Sequence, residues 1–72
     1  MIIKSFTNSR EGNDCLIKDT IIILEIEEDY VILHQTNYIG SWCDDEPRRT
    51  YYNAKTEQEA LKIFNKVVRE VI

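Results

Sequence analysis

The sequence predicts an α+β fold, in which an antiparallel β-meander of three to four strands packs on one C-terminal α-helix (β-β-β-β-α). Two observations predict it. The C-terminal stretch "TEQEALKIFNKVVREVI" repeats apolar side chains at helical spacing. Residues 15–43 are instead dominated by β-branched and aromatic side chains, which favour strands. Because the chain has 72 residues and no linker or internal repeat, we expect a single domain over residues 1–72.

Four strands are expected before the helix. The opening "MIIKSFT" indicates an edge strand, and the polar stretch "NSREGND" indicates a loop. Two long strands follow, over residues 15–27 and about 30–43, with a turn near Glu28 and Asp29. Gly40 predicts a bulge or bend in the second of them. The segment "CDDEPRR" then connects to a fourth strand around residues 50–53.

The C-terminal helix is predicted from its start signal and from one apolar stripe. Thr56 can cap the first turn, and Glu59 can reach back to complete a capping box. Acidic residues in the first turn, with Lys66 and Arg69 toward the end, suit the helix dipole. The stripe expected to face the sheet consists of Ala60, Leu61, Phe64, Val67, Val68 and Val71.

The central hairpin is apolar on both of its faces, although the chain has only one predicted helix to cover them. The pairs expected beneath the helix are Ile26 with Val31, Leu24 with Leu33 and Ile22 with Gln35. Each large aliphatic side chain kept from water contributes about 1.5–3 kcal/mol. An uncovered apolar patch on the other face therefore indicates a contact site.

Three kinds of cover for that other face stay open. The N-terminal strand, with Ile2, Ile3 and Phe6, can curl over it as in a small barrel; another protein can bind it; or a second copy can form a homodimer. We predict partner binding there. The candidate partner-binding residues are Ile21, Ile23, Tyr30, Ile32, His34, Tyr38, Trp42, Asp44 and Asp45.

Charge and the N-terminus restrict the class of partner. Thirteen acidic and nine basic side chains leave a net charge of −4, which opposes binding to nucleic acid. No signal peptide or membrane-spanning apolar run is evident, so we expect a cytoplasmic location, no membrane partner and reduced cysteines. The acidic groups "EIEED" and "DDE" are either solvated turns or a surface that docks onto a basic protein.

No pattern predicts catalysis, a metal or a cofactor. Cys15, His34, Cys43 and Asp44 lack the C-x-x-C or H-x-x-x-H spacing of metal sites. His34 and Cys43 are also too far apart along one extended strand to form a nucleophile pair, on the order of 30 Å. We expect Cys15 and Cys43 to be free, with a cross-strand disulfide or a shared metal as the alternative.

The alternative function is a nucleic-acid-binding accessory module. Its candidate residues are Arg48, Arg49, Tyr51, Tyr52 and Lys55, together with the helix cations Lys62, Lys66 and Arg69. A sheet with aromatic side chains beside cations can hold single strands. The helix cations, however, can pair locally with Glu59 and Glu70 and then need no ligand.

The stretch "NAKTEQEALKIFNKV" resembles the end of a WGR domain, where strands precede a helix entered through a short polar turn. The tripeptide that names the family is absent, "IGSW" stands near its expected position, and the resemblance implies no function.

The function predicted from the sequence as a whole is that of a small acidic non-catalytic protein-binding module, an inhibitor or regulator compatible with a phage or mobile-element accessory protein.

Overall fold

Four antiparallel strands and one helix form the fold. A computed structural model of the chain describes residues 1–12, 15–40 and 46–72. The elements are β1 (Ile2–Glu11), β2 (Leu16–Ile26), β3 (Asp29–Ile39), β4 (Arg48–Ala54) and α1 (Glu57–Val71). The strands lie in the order β1-β2-β3-β4, so each lies beside its neighbour in sequence. The predicted antiparallel meander with a C-terminal helix is confirmed.

The first strand is longer than predicted. Residues 8–11, predicted as part of a loop, extend β1 and pair with β2 as far as Glu11 opposite Leu16. Strand pairing uses backbone groups, so polar side chains can continue a strand at the sheet edge. A register shift between Ile2 and Lys4 interrupts the ladder near its start, and Ile3 packs against the core.

The hairpin turn lies one residue earlier than predicted. Glu27 and Glu28 form it, and Ile26 lies opposite Asp29. Leu24 therefore pairs with Val31 rather than with Leu33. Side chains alternate with a period of two, so a shift of two residues does not move any of them to the other side of the sheet. The same side chains therefore share a face as predicted. Gly40 forms a bend directly after β3, while Cys43 at the predicted end of that strand lies outside the described residues.

The helix begins as predicted, with one difference in its cap. Thr56 accepts a hydrogen bond from the Glu59 backbone N–H at 3.1 Å. Glu59 Oε2 accepts from the backbone N–H of Lys55, at 3.3 Å, rather than from Thr56 as in a standard capping box. The predicted stripe faces the sheet: Ala60, Phe64, Val67 and Val71 are buried, and Leu61 and Val68 are part-buried.

The helix packs on the opposite face of the sheet from the one predicted. Ile21, Ile23 and Ile32 have 0% exposure and form the core with the helix stripe. We call this side of the sheet the helix face. The expectation that Ile22, Leu24 and Ile26 lie beneath the helix is therefore wrong.

The edge strands explain which face the helix covers. On the helix face, β1 adds Phe6, and β4 adds Tyr52 and Ala54, to the apolar residues of the central hairpin. On the other face most of the corresponding edge positions are polar, such as Ser5, Thr7 and Asn53, with Ile2 and Tyr51 as the apolar exceptions. The hairpin is apolar on both sides, so its edge neighbours decide where the larger apolar surface lies. The barrel-like alternative is wrong as well, because β1 and β4 lie at opposite edges of an open sheet.

Candidate functional site

The side of the sheet opposite α1 carries an apolar centre and is called the open face. Ile22 lies opposite Leu33 and Leu24 lies opposite Val31, both pairs in the two central strands. These four side chains alternate with the core isoleucines and so point away from the helix. They are part-buried by their neighbours within the sheet, and no described element packs over them.

Large exposed apolar side chains are concentrated on the same face. Apart from the terminal Met1 and Ile72, every strongly exposed large hydrophobic residue in the described ranges belongs to the open face. These residues are Ile2, Leu16, Ile26, Ile39 and Tyr51, as the strand register shows. Ile2 is 59%, Ile26 52% and Tyr51 61% exposed. Scattered exposed apolar residues are ordinary, but their concentration on one face indicates a contact surface.

The open face carries little net charge. Its described charged residues are Glu11 and Asp29, which are acidic, and Lys18 and Arg49, which are basic. Asp29 forms an ion pair with Lys55 at 3.2 Å, and Arg49 Nε donates to Gln35 Oε1 at 3.1 Å. The described residues of the open face are therefore balanced in charge.

Those predicted partner-binding residues that the structure describes are buried or part-buried. Ile21, Ile23 and Ile32 are inside the core, so they are not accessible to a partner. Tyr30, His34 and Tyr38 lie on the same helix face and are part-buried. The remaining predicted partner residues, Trp42, Asp44 and Asp45, lie outside the described residues.

A polar cluster lies on the helix face near the end of α1, and of its residues the sequence analysis singled out only His34. Asp19 is 1% exposed, and its Oδ1 accepts hydrogen bonds from Thr36 Oγ1 at 2.8 Å and from His34 Nε2 at 2.9 Å. Its Oδ2 has no hydrogen-bond partner, although Arg10 Nε lies 3.7 Å away. Beside it, Asn8 Nδ2 donates to the Val71 carbonyl at 3.0 Å. The strand alternation that places Asp19 beside Ile21 was the signal that could have revealed it.

The cluster does not have the geometry of a nucleophile relay. In a relay the imidazole uses one nitrogen for the carboxylate and the other for the nucleophile. Here His34 Nε2 and the Thr36 hydroxyl both point to the same oxygen of Asp19, and Thr36 Oγ1 is 3.4 Å from that same nitrogen. The arrangement satisfies one oxygen of a buried carboxylate, Asp19 Oδ1, and ties β2 to β3.

Tyr30 lies opposite Glu25, packs against the core and has a perturbed hydroxyl. Desolvation raises the pKa of Tyr30 above its usual value, and the negative charges of Glu25 and Glu57 raise it further. A raised pKa keeps the phenol neutral and able to donate a hydrogen bond. The packing of Tyr30 against the core is given by its contact with the residues of the helix face.

The residues proposed for nucleic-acid binding are divided between the two faces. Because β4 alternates, Arg48 and Tyr52 point to the helix face, and Arg49 and Tyr51 point to the open face. Lys55 pairs with Asp29. These residues therefore do not form one surface of interleaved cations and aromatic side chains.

Metal and thiol positions differ partly from expectation. Within residues 1–12, 15–40 and 46–72, no group of three or more His, Cys, Asp or Glu side chains could hold a metal ion. Cys15 is disulfide-bonded, so the prediction of a free thiol there is wrong. Cys43 lies outside the described residues.

A pocket of about 240 Å³ lined by Asp29, Asn53, Ala54, Lys55 and Glu59 is smaller than typical ligand sites, which are about 300–1,000 Å³.

These features define a small α+β protein with one helix-covered face and one apolar, uncovered face. No protein-family model matches the chain, and no significant match is found among curated proteins or solved structures. The resemblance to a WGR domain therefore has no support from a matching family. None of the described residues belongs to a helix with the length and apolar character needed to cross a membrane.

Proposed function

We propose that this chain is a non-catalytic protein-binding module whose contact surface is the open face. One observation supports the proposal most strongly: the exposed apolar side chains of the described strands lie together on the face that the helix leaves uncovered. Two aliphatic cross-strand pairs form the centre of that face. The partner that fits is a protein surface that is apolar and weakly charged.

The free energy of association determines how much of the apolar patch a partner must cover. Covering a large aliphatic side chain yields about 1.5–3 kcal/mol. Association itself costs about 4–15 kcal/mol in lost freedom of motion and ordering of side chains. A partner that covers Ile26 alone would not bind measurably, so the partner surface has to extend across the central pairs and Tyr51 together.

The charge of the open face bears on the predicted basic partner. Because acidic and basic side chains are balanced there, this face does not attract a basic protein more than a neutral one. A basic partner would have to bind the acidic turn and helix residues, such as Glu28 and Glu57, instead. An inhibitor or regulator role remains a proposal based on size and charge.

The predicted cytoplasmic location also remains a proposal. The expectation of reduced cysteines followed from that location, and Cys15 is disulfide-bonded. Disulfides persist in oxidising compartments and are rare in the cytosol. The state of Cys15 therefore counts against that part of the prediction.

Site-specific photo-crosslinking in the source cells tests the binding function. A benzoylphenylalanine at position 51 places the probe on the open face, and the same residue at the exposed helix position 65 serves as the control. We expect protein adducts from position 51 that are absent from position 65. An adduct counts as a partner only when the purified protein binds the wild type and binds Tyr51→Asp more weakly. Equal adducts, or none, at the two positions would overturn the proposed function.

A further inference from the structure

We infer that the open face is covered by a second copy of this chain, packed sheet against sheet about a two-fold axis. The inference rests on the proposed function and names the partner of that same face. In a two-fold dimer each copy presents the same surface to the other, so the surface must be complementary to itself. The surface area, the dimensions of the face and its charge each favour a second copy.

The isolated chain exposes more surface than a compact monomer of its mass. Its accessible surface is 5360 Å², whereas a monomer of 8.5 kDa is expected to expose about 4,650 Å². Its radius of gyration is 13.4 Å, compared with about 11 Å for a compact domain of this length. The accessible surface therefore exceeds that of a compact monomer by about 700 Å².

The dimensions of the open face match this excess. Four strands spaced by about 4.8 Å, with a rise of about 3.3 Å per residue, give a face on the order of 600 Å². Two copies would then bury about 1,200 Å², the lower end of the range for stable interfaces. A small single core rarely supplies more than about 3–5 kcal/mol, and oligomerisation is a common additional support.

Charge distinguishes a second copy from a basic partner. Any acidic surface of a chain with a net charge of −4 would repel the same surface of another copy. On the open face the described acidic residues, Glu11 and Asp29, are matched in number by Lys18 and Arg49. Self-association through this face therefore carries little electrostatic cost.

The packing of such a dimer is that of a β-sandwich. Two sheets pack about 10 Å apart, with side chains from both inner faces interdigitating. The pairs Ile22–Leu33 and Leu24–Val31 of both copies would form a second core. Tyr51, near the edge of the face, can cover apolar surface while its hydroxyl stays in water.

Sedimentation equilibrium of the purified full chain tests the dimer. We expect twice the 8.5 kDa mass at micromolar concentration. Leu33→Asp should raise the dimer dissociation constant at least about 100-fold, because each copy brings an unpaired carboxylate into the interface. Tyr51→Asp should raise it about tenfold and has little packing within the monomer to lose. Asn65→Asp, on the exposed side of α1, is the matched control and should leave the constant unchanged.

Circular dichroism shows whether each variant is folded, and Tyr51→Asp provides the result if Leu33→Asp does not fold. A wild type that stays monomeric up to millimolar concentration would overturn the dimer. So would a dimer that Leu33→Asp and Tyr51→Asp leave unchanged, since that dimer would use another surface. A monomer whose open face still captures a different protein would overturn the dimer and leave the binding function standing. A monomer with no specific adducts at position 51 would overturn both.

Discussion

The imidazole Nε2 of His34 lies 2.9 Å from the carboxylate oxygen Oδ1 of Asp19, which is almost completely buried. This contact joins β3 to β2, and Thr36 adds a second hydrogen bond to the same oxygen. A buried carboxylate is costly unless it is paired, so the two donors stabilise the charge where the helix ends. The contact makes the cluster a structural element of the helix face.

Replacing Asp19 by alanine should destabilise the fold by about 1–3 kcal/mol, because His34 and Thr36 are then left without their acceptor. Urea unfolding of the two proteins measures the difference. The control is the triple variant Asp19→Leu, His34→Leu, Thr36→Val, which removes both hydrogen-bond donors to Asp19 and leaves only the half-exposed Arg10 without its ionic partner. It should recover most of the loss, since apolar replacement of buried charged groups is often neutral. An Asp19→Ala variant as stable as the wild type would contradict this role.

Neighbouring isoleucines should differ sharply in their effect on stability. Ile23→Ala creates a cavity in the core and should cost about 2–5 kcal/mol. Ile22→Ala, on the open face, should cost about 1 kcal/mol, because its side chain is already partly in water. Both are best measured by denaturant unfolding in the Tyr51→Asp background at a protein concentration well below its dimer dissociation constant, where dimer formation does not add to stability. Equal losses, or a larger loss for Ile22→Ala, would contradict the assignment of the two faces.

The hairpin turn stores local backbone strain at Glu27. Its φ is +59°, a left-handed conformation that disfavours side chains with a Cβ. Glu27→Gly should therefore stabilise the protein by about 0.5–1 kcal/mol, the relief of strain being partly offset by the entropy of glycine in the unfolded chain. Glu28→Gly is the control and should destabilise it, since no positive φ is relieved there. The melting temperatures of both variants, measured by thermal unfolding, test this prediction. A destabilised Glu27→Gly together with a stabilised Glu28→Gly would contradict the turn geometry.

Alkaline pH should reveal the environment of Tyr30. Its pKa is raised in the folded state from the usual 10.0, so the unfolded chain loses this proton first as the pH rises. The contribution of the Tyr30 hydroxyl to folding stability is fully present below about pH 10 and is lost as the pH rises through the folded-state pKa. Between pH 9 and 11, the free energy of unfolding should fall more steeply for the wild type than for Tyr30→Phe. Parallel curves would show that Tyr30 does not contribute.

The sequence by itself determined the elements, because their signals are local. Thr56 and the spacing of Ala60, Phe64, Val67 and Val71 placed the helix correctly. Alternation along β2 and β3 also placed each side chain on the correct side of its strand, even with a misplaced turn. Residues within one strand or one helix carry that information without reference to the rest of the chain.

Only the tertiary structure decided which side of the hairpin the helix covers, and thus which side is left open. That choice depends on β1 and β4, which place Phe6 and Tyr52 beside the core but Ser5 and Asn53 on the open face. The pairing of Asp19 with His34 and Thr36 has the same origin, since it joins residues on different strands. The free energy of burial depends on the total apolar area that neighbouring strands bring together. Two hairpin faces that look alike in sequence become unequal when the edge strands pair with them.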